Sequence, residues 1–290
     1  ALPILKIIFM KNKITYINLF SNNFRAINLI KVLSEKFKIK NIFLKKKNLN
    51  SKLVNFLKKR KIKSAIVNNI NDPKIFEAIK EKDTINVVCG FPYIFPSKFI
   101  KNSKSSIINC HGGNLPNYRG GSPLSWQIIN NEKNIFISTL TVSKGIDDGK
   151  ILLKQKFKLK KNMNILNVQN KANTIFPKLV IKSIKLLLNK KKIKRQIGKI
   201  KVYKQRSPAD SFFEPKKTKY LELRNLHRAT YPLYCPPFFL DKGNLIFIEK
   251  FQITSNKKEE KKLKNKIFLK LKDLKIVINK YKKKIYTNQN

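Results

Sequence analysis

Acidic residues are scarce: 16 Asp and Glu stand against 65 Lys and Arg, a formal charge of +49 over 290 residues. Glycine is nearly as thin, with nine in all, and there are two histidines, three cysteines and one tryptophan. Each shortage excludes something. Cys89, Cys110 and Cys235 are odd in number, widely spaced and without a CxxC pair. They give neither a disulfide framework nor a zinc site, and they suit a reducing cytoplasm. No GxGxxG follows the first apolar run and no P-loop is present, which undercuts dinucleotide and ATP readings. GxSxG and HExxH are missing too, so serine-hydrolase and zinc-protease chemistry have no motif and no metal is expected. No apolar run approaches the roughly 18 residues that a membrane span needs, so no membrane partner is expected.

What is present points to a globular chain, with 42% hydrophobic and 10% aromatic residues and enough length for two modest domains. The positive charge reads chiefly as drift. All but seven of the basic residues are lysine, and alanine and glycine are scarce, as in AT-rich coding sequence. Arginine, with its bidentate fork, would be favoured if phosphate recognition had selected the charge. A selected anionic partner is the alternative. Residues 1–9 read as an upstream extension, because "MKNKITYINLF" from Met10 looks like a natural start, with a first strand at 13–19.

Short apolar runs then alternate with helical periodicity. Strands are expected at 39–44, 64–69, 85–91 and 105–112, and helices over "FRAINLIKVLSEKF" and near 51–60 and 73–81. This order predicts βαβ units and an α/β, Rossmann-like, mainly parallel sheet over residues 10–190. Ser122 as N-cap and Pro123 at the first position should start a helix. Strands at 135–142 and 149–157 and a long helix over 162–190 complete this half. "NKKKIKRQIGKIK" reads as a solvated linker to a small, mainly β, OB-like domain at 200–290, in which 256–266 is an exposed loop.

Four of the nine glycines and one of the two histidines crowd into "NCHGGNLPNYRGG", residues 109–121, at a strand end. Strand residues two apart project to one face, so Asn109 and His111 form an amide beside an imidazole at the sheet's carboxyl edge. That pair suits a reaction in which an oxygen gains negative charge while a proton moves, acyl transfer being the common case. Asp147, in "KGIDDG", can fold back to supply the carboxylate.

The run Asn-x-His, a Leu-Pro and Arg-Gly loop, and Asp-x-Gly 36 positions after His111 resembles the formyltransferases that use 10-formyltetrahydrofolate. The resemblance is densest over 85–157 and is recognisable again at "YKQRSPADS" and "LHRATYPLYCPP". It implies that Asn109, His111 and Asp147 are catalytic. It further implies that Phe91, Pro92, Tyr93 and Ile94, with Ser143, Gly145 and Ile146, bind the folate donor. Gly113, Tyr118, Arg119 and Trp126 would meet the amine acceptor; His227 is read as structural. The first strand runs into "YINLF" where the family often has a glycine, so that turn should be built differently. The preferred acceptor is a nucleotide-linked amino sugar, the alternative is charged initiator tRNA, and a non-catalytic anion- or RNA-binding protein is a remote third. A homodimer is compatible with the sequence.

Overall fold

The computed structural model describes residues 16–46, 49–189, 192–193, 195–254 and 266–285. The expected extension at 1–9, the first residues of the strand expected at 13–19 and most of the loop expected at 256–266 lie outside the described residues.

The alternation read from the sequence becomes β1 (Tyr16–Phe20), α1 (Arg25–Ser34), β2 (Lys38–Lys45), α2 (Ser51–Lys59), β3 (Ala65–Val67), α3 (Pro73–Ile79), β4 (Thr84–Val88), α4 (Ser97–Asn102) and β5 (Ile107–His111). Helix α1 buries Ala26, Leu29, Ile30 and Leu33, the three- and four-residue spacing that made it legible. Asn50 caps α2 by accepting from Leu53 N (3.1 Å), and Asp72 caps α3 ahead of Pro73 by accepting from Lys74 N (3.0 Å). After β6 (Arg119–Gly120) come α5 (Pro123–Ile129), β7 (Asn134–Thr141), β8 (Ile151–Lys158) and the long α6 (Ile165–Leu188).

Seven strands make one sheet in the order β3-β2-β1-β4-β5-β7-β8. The ladders from β3 through β5 are parallel, and β7 runs antiparallel to β5. Every residue of β4 is buried, as expected of a parallel strand covered on both faces. A polar seam crosses this apolar sheet. Asn41 Nδ2 donates to Asn18 Oδ1 (2.8 Å), and Asn18 Nδ2 donates to Asn86 Oδ1 (3.1 Å) and Ala78 O (2.9 Å).

Beyond β9 (Val202–Tyr203), α7 (Tyr220–Thr230) precedes β10 (Phe238–Asp241), β11 (Asn244–Ile253), β12 (Ile267–Lys270) and β13 (Lys275–Ile285). These four strands form an antiparallel sheet in the order β10-β11-β13-β12. Lys242 and Gly243, both at positive φ, make the two-residue hairpin turn. Leu223 of α7 packs with Phe239, Ile246, Ile248 and Ile276 in the core of this unit. Among the described residues no helix is long and apolar enough to cross a membrane.

The chain divides into two compact units, but not at a single boundary between 190 and 200. Residues 121–135 and 158–169 group with 204–290, and the rest group with the large sheet. Hydrogen bonds explain the regrouping. Ser125 Oγ donates to Ala229 O (2.9 Å), Trp126 Nε1 to Lys204 O (3.0 Å) and Arg228 Nε to Met163 O (2.8 Å). Ser122 sits at the N-cap position of α5 in the left-handed region, and its hydroxyl accepts from Arg206 N (3.2 Å) rather than from its own helix.

Candidate active site

In open α/β sheets ligands favour the crevice where strand order reverses, which here falls between β1 and β4. That crevice is closed. Cys89 N donates to Phe20 O (2.9 Å), Asn22 N to Gly90 O (3.1 Å) and Ser21 Oγ to Cys89 O (2.5 Å). Asn22 clasps the end of β2, accepting from Lys45 N (2.5 Å) and donating to Lys45 O (2.9 Å). Ser21 and Asn22 thus build the turn after β1. The polar cluster lies instead beside β5.

Asn109 and His111 leave β5 on the same side and meet Asp147. Asn109 Nδ2 donates to Asp147 Oδ1 at 3.1 Å, and His111 Nδ1 lies 3.3 Å from Asp147 Oδ2. Gly120 N also donates to Asp147 Oδ2, at 2.9 Å. Asp147 reaches this point from a left-handed conformation, φ 47°. His111 Nε2 lies 2.5 Å from Tyr118 O. A carbonyl oxygen only accepts, so Nε2 carries a hydrogen and donates to it, while Nδ1 faces the carboxylate. Both ring nitrogens are therefore engaged by the protein. His111 is buried and Asp147 is largely covered, so this carboxyl-edge pair is part of the packed structure.

Gly113 stands behind the imidazole. A Cβ there would lie 2.5 Å from both His111 Nε2 and Tyr118 O, so the missing side chain is the space the histidine occupies. Its carbonyl accepts from Ser138 Oγ (2.8 Å). Tyr118 is buried and stacked on Tyr203 with ring centroids 5.0 Å apart. Trp126, in the second unit, has Arg206 5.2 Å over its ring. These three residues, expected to meet the acceptor, are largely taken up by packing. Arg119 lies in the first unit with the trio, its Nε and Nη2 donating to Gln196 Oε1 (3.1 and 2.9 Å).

The stretch expected to be a solvated linker is part of this site. Lys192, Lys199 and Lys201 in it are exposed, but Gln196 Nε2 turns inward and donates to Asp147 O (2.7 Å) and Gly149 O (2.8 Å). Arg119 N donates to Lys201 O (3.0 Å), and Arg119–Gly120 pairs in parallel with Val202–Tyr203. The sequence carries no periodic signal for this. Lys154, on β8, ties the same loop down through Asn114 Oδ1 (3.2 Å) and Leu115 O, and burial lowers its ammonium below the usual range.

The residues expected at the donor divide by exposure. Phe91 is buried against Phe20 and Tyr93, and the Tyr93 hydroxyl donates to Asn68 O (2.5 Å). Pro92, Ile94, Gly145 and Ile146 are exposed, and Ser143 Oγ donates to Asp148 Oδ1. Tyr93 and Val142 pack against one apolar cluster, so the two loops come together. A cavity of about 320 Å³ opens beside Val142, lined by Ile100, Ile107 and Val142 together with Ser103, Lys104, Ser105, Ser106 and Thr141. Among the described residues no three His, Cys, Asp or Glu side chains gather as a metal site. His227 packs between Tyr231 and Phe251 and donates from Nε2 to Glu249 O (3.0 Å).

Comparison with known proteins bears on this geometry. Residues 10–184 match the family model described as formyl transferase. A methionyl-tRNA formyltransferase of Thermodesulfovibrio yellowstonii is 30% identical over 169 residues, 56% of this chain and 54% of the relative. The chain thus spans about half the length of that curated relative. Among solved structures, the methionyl-tRNA formyltransferase from Clostridium thermocellum superposes with TM-score 0.59 at 18% identity, over 93% of this chain and 99% of that one. An N-formyltransferase from Helicobacter canadensis, in complex with folinic acid and dTDP-3-aminofucose, gives TM-score 0.68 at 19% identity, over 91% and 98%. With the family model covering more than half of its length, the chain belongs to the formyl transferase family.

Proposed function

We propose that the protein transfers a formyl group from 10-formyltetrahydrofolate to a primary amine. The observation that carries this reading is the convergence of Asn109, His111 and Asp147 beside one strand. Asn109 spends one amide hydrogen on Asp147 and keeps a second to give, which suits a formyl oxygen gaining charge as its carbon is attacked. Asp147 Oδ1 receives only the Asn109 bond, so a lone pair remains to accept a proton from the attacking amine. The donor nitrogen needs a proton as it leaves, and the His111 imidazole beside Asp147 is the group placed to relay one. The cavity beside Val142 offers Ile100, Ile107 and Val142 to the face of a flat heterocycle such as the donor's pterin, and Ser103, Ser105, Ser106 and Thr141 to its polar edge.

For the acceptor, methionyl-tRNA is better supported than the amino sugar that the sequence favours. The rings and the glycine counted on to hold a nucleotide sugar are engaged in packing. Exposed Lys242, Lys250, Lys275, Lys283 and Lys284 are spread over the strands and hairpin turn of the second unit's sheet, positive charge suited to a nucleic-acid backbone. The test assays methionylated initiator and elongator tRNA beside a panel of nucleotide-linked 3- and 4-amino sugars under identical conditions. Formylation of initiator tRNA alone is the expected result. Activity on a sugar alone would sink the tRNA acceptor and leave the chemistry standing; formyl-transfer activity of His111→Ala at the unsubstituted rate would sink the assignment of the trio.

A further inference from the structure

The first unit carries a second cavity, of about 590 Å³, that the proposed chemistry leaves unused. Its walls include Arg119, Lys150, Arg195, Gln196, Thr141 and Ser143. Asp148 is the single acid among the lining residues, and its Oδ1 already accepts from the Ser143 hydroxyl. Three cations against one carboxylate leave a concave, hydroxyl-lined space with excess positive charge. Arginine forks in such a setting favour carboxylate or phosphate oxygens.

Gln196 joins this cavity to the site. Its Oε1 accepts both bonds from Arg119, and its Nε2 donates to the carbonyls of Asp147 and Gly149. Arginine only donates and a carbonyl only accepts, so the amide can face one way, and all four of its hydrogen-bonding positions are filled. One end of the side chain orients an arginine on the cavity wall. The other holds the backbone on both sides of Asp148, in the loop that carries Asp147.

We propose that this cavity is an oxyanion subsite for one of the two substrates, and that Gln196 is the positioning residue that keeps it in line with Asp147. The inference rests on the formyltransferase reading. Both substrates offer the chemistry: the donor has the carboxylates of its glutamate tail, and a nucleotide or tRNA acceptor has phosphates.

Direct binding is tested with inorganic pyrophosphate, titrated calorimetrically into the whole chain at near-physiological salt. Arg195→Ala should weaken binding by about tenfold or more, the scale of a lost charge-assisted hydrogen bond. Lys270→Ala removes the same charge from an exposed position on the second unit and should leave binding within about twofold. Equal losses in the two variants, or no binding at all, would overturn the subsite. This arm involves no catalysis, so its failure is distinct from a failure of the formyltransferase reading, which absence of transfer to every acceptor would signal. Kinetics then identify the source. A donor KM raised by Arg195→Ala, and insensitive to it when the donor lacks glutamate, assigns the glutamate tail. A raised acceptor KM assigns the phosphate, and two unchanged KM values would overturn the proposal. Gln196→Leu should lower kcat as well as raise that KM, because it releases the Asp147 carbonyl together with Arg119; an unchanged kcat would remove the positioning role.

Discussion

His111 has a partner at each ring nitrogen, Tyr118 O on one side and Asp147 on the other, and both contacts are sheltered from water. His111→Ala therefore has two separable costs. Loss of the imidazole beside Asp147 should cut formyl transfer by at least about a hundredfold. The orphaned Tyr118 carbonyl should cost about 1–3 kcal/mol of stability. Rapid-quench turnover and urea melts on the same preparation separate the two. Gly113→Ala tests the geometry from behind: its methyl would press on the imidazole, so kcat should fall by about tenfold while donor KM holds, as single-turnover assays against donor concentration would read. Asn109 and His111 are legible in the sequence because the two-residue period of a strand sets them on one face. Asp147 is legible through its motif. Gln196 is not legible, since its partner Arg119 is 77 positions away and nothing in a lysine-rich stretch marks the pairing.

The loop from β7 to β8 acts as one element. It places Asp147 at φ 47° and then turns back through Gly149, where an added Cβ would run into the Thr141 carbonyl. Lys150 N donates to Thr141 Oγ1 (3.0 Å), closing the same turn. Gly149→Ala must push β7 and β8 apart, at about 1–3 kcal/mol for overpacking. A lowered urea midpoint with unchanged m-value, accompanied by loss of activity, is the expected result; a variant with the parent midpoint would show that the turn tolerates a side chain. The strands and helices around this loop are legible from periodicity alone. The loop's course is not, because it is fixed by contacts with Asn109, Gly120 and Gln196 rather than by local propensity.

For the molecule as a whole, two titrations in the second unit shape the response to acid. Burial pushes the His227 imidazole below its ordinary 6.5, only partly offset by its hydrogen bond to Glu249 O. The unfolded chain then takes up a proton before the folded one, so stability should fall as pH drops below 6.5. His227→Gln keeps a donor for Glu249 O and should flatten that slope in urea melts across about pH 5 to 7. Lys204, then the Ser207 backbone, draw the Asp210 carboxyl from 3.8 down to about 2. Its contribution is present above 3.8 and lost as pH falls toward 2, so Asp210→Asn should remove that lower step from the same profile.

In a parallel sheet buried on both faces, apolar alternation does not by itself mark which residues stand level, because both sides of each strand are apolar. The buried asparagines supply a vernier. Asn18 can bond both Asn41 and Asn86 only when the three are level, as they are in the β1–β2 and β1–β4 ladders. Asn86 in turn lies level with Ile107, and Val88 with Asn109. The height at which Asn109 faces Asp147 is thus calibrated from the far side of the sheet, by amides that never approach a substrate.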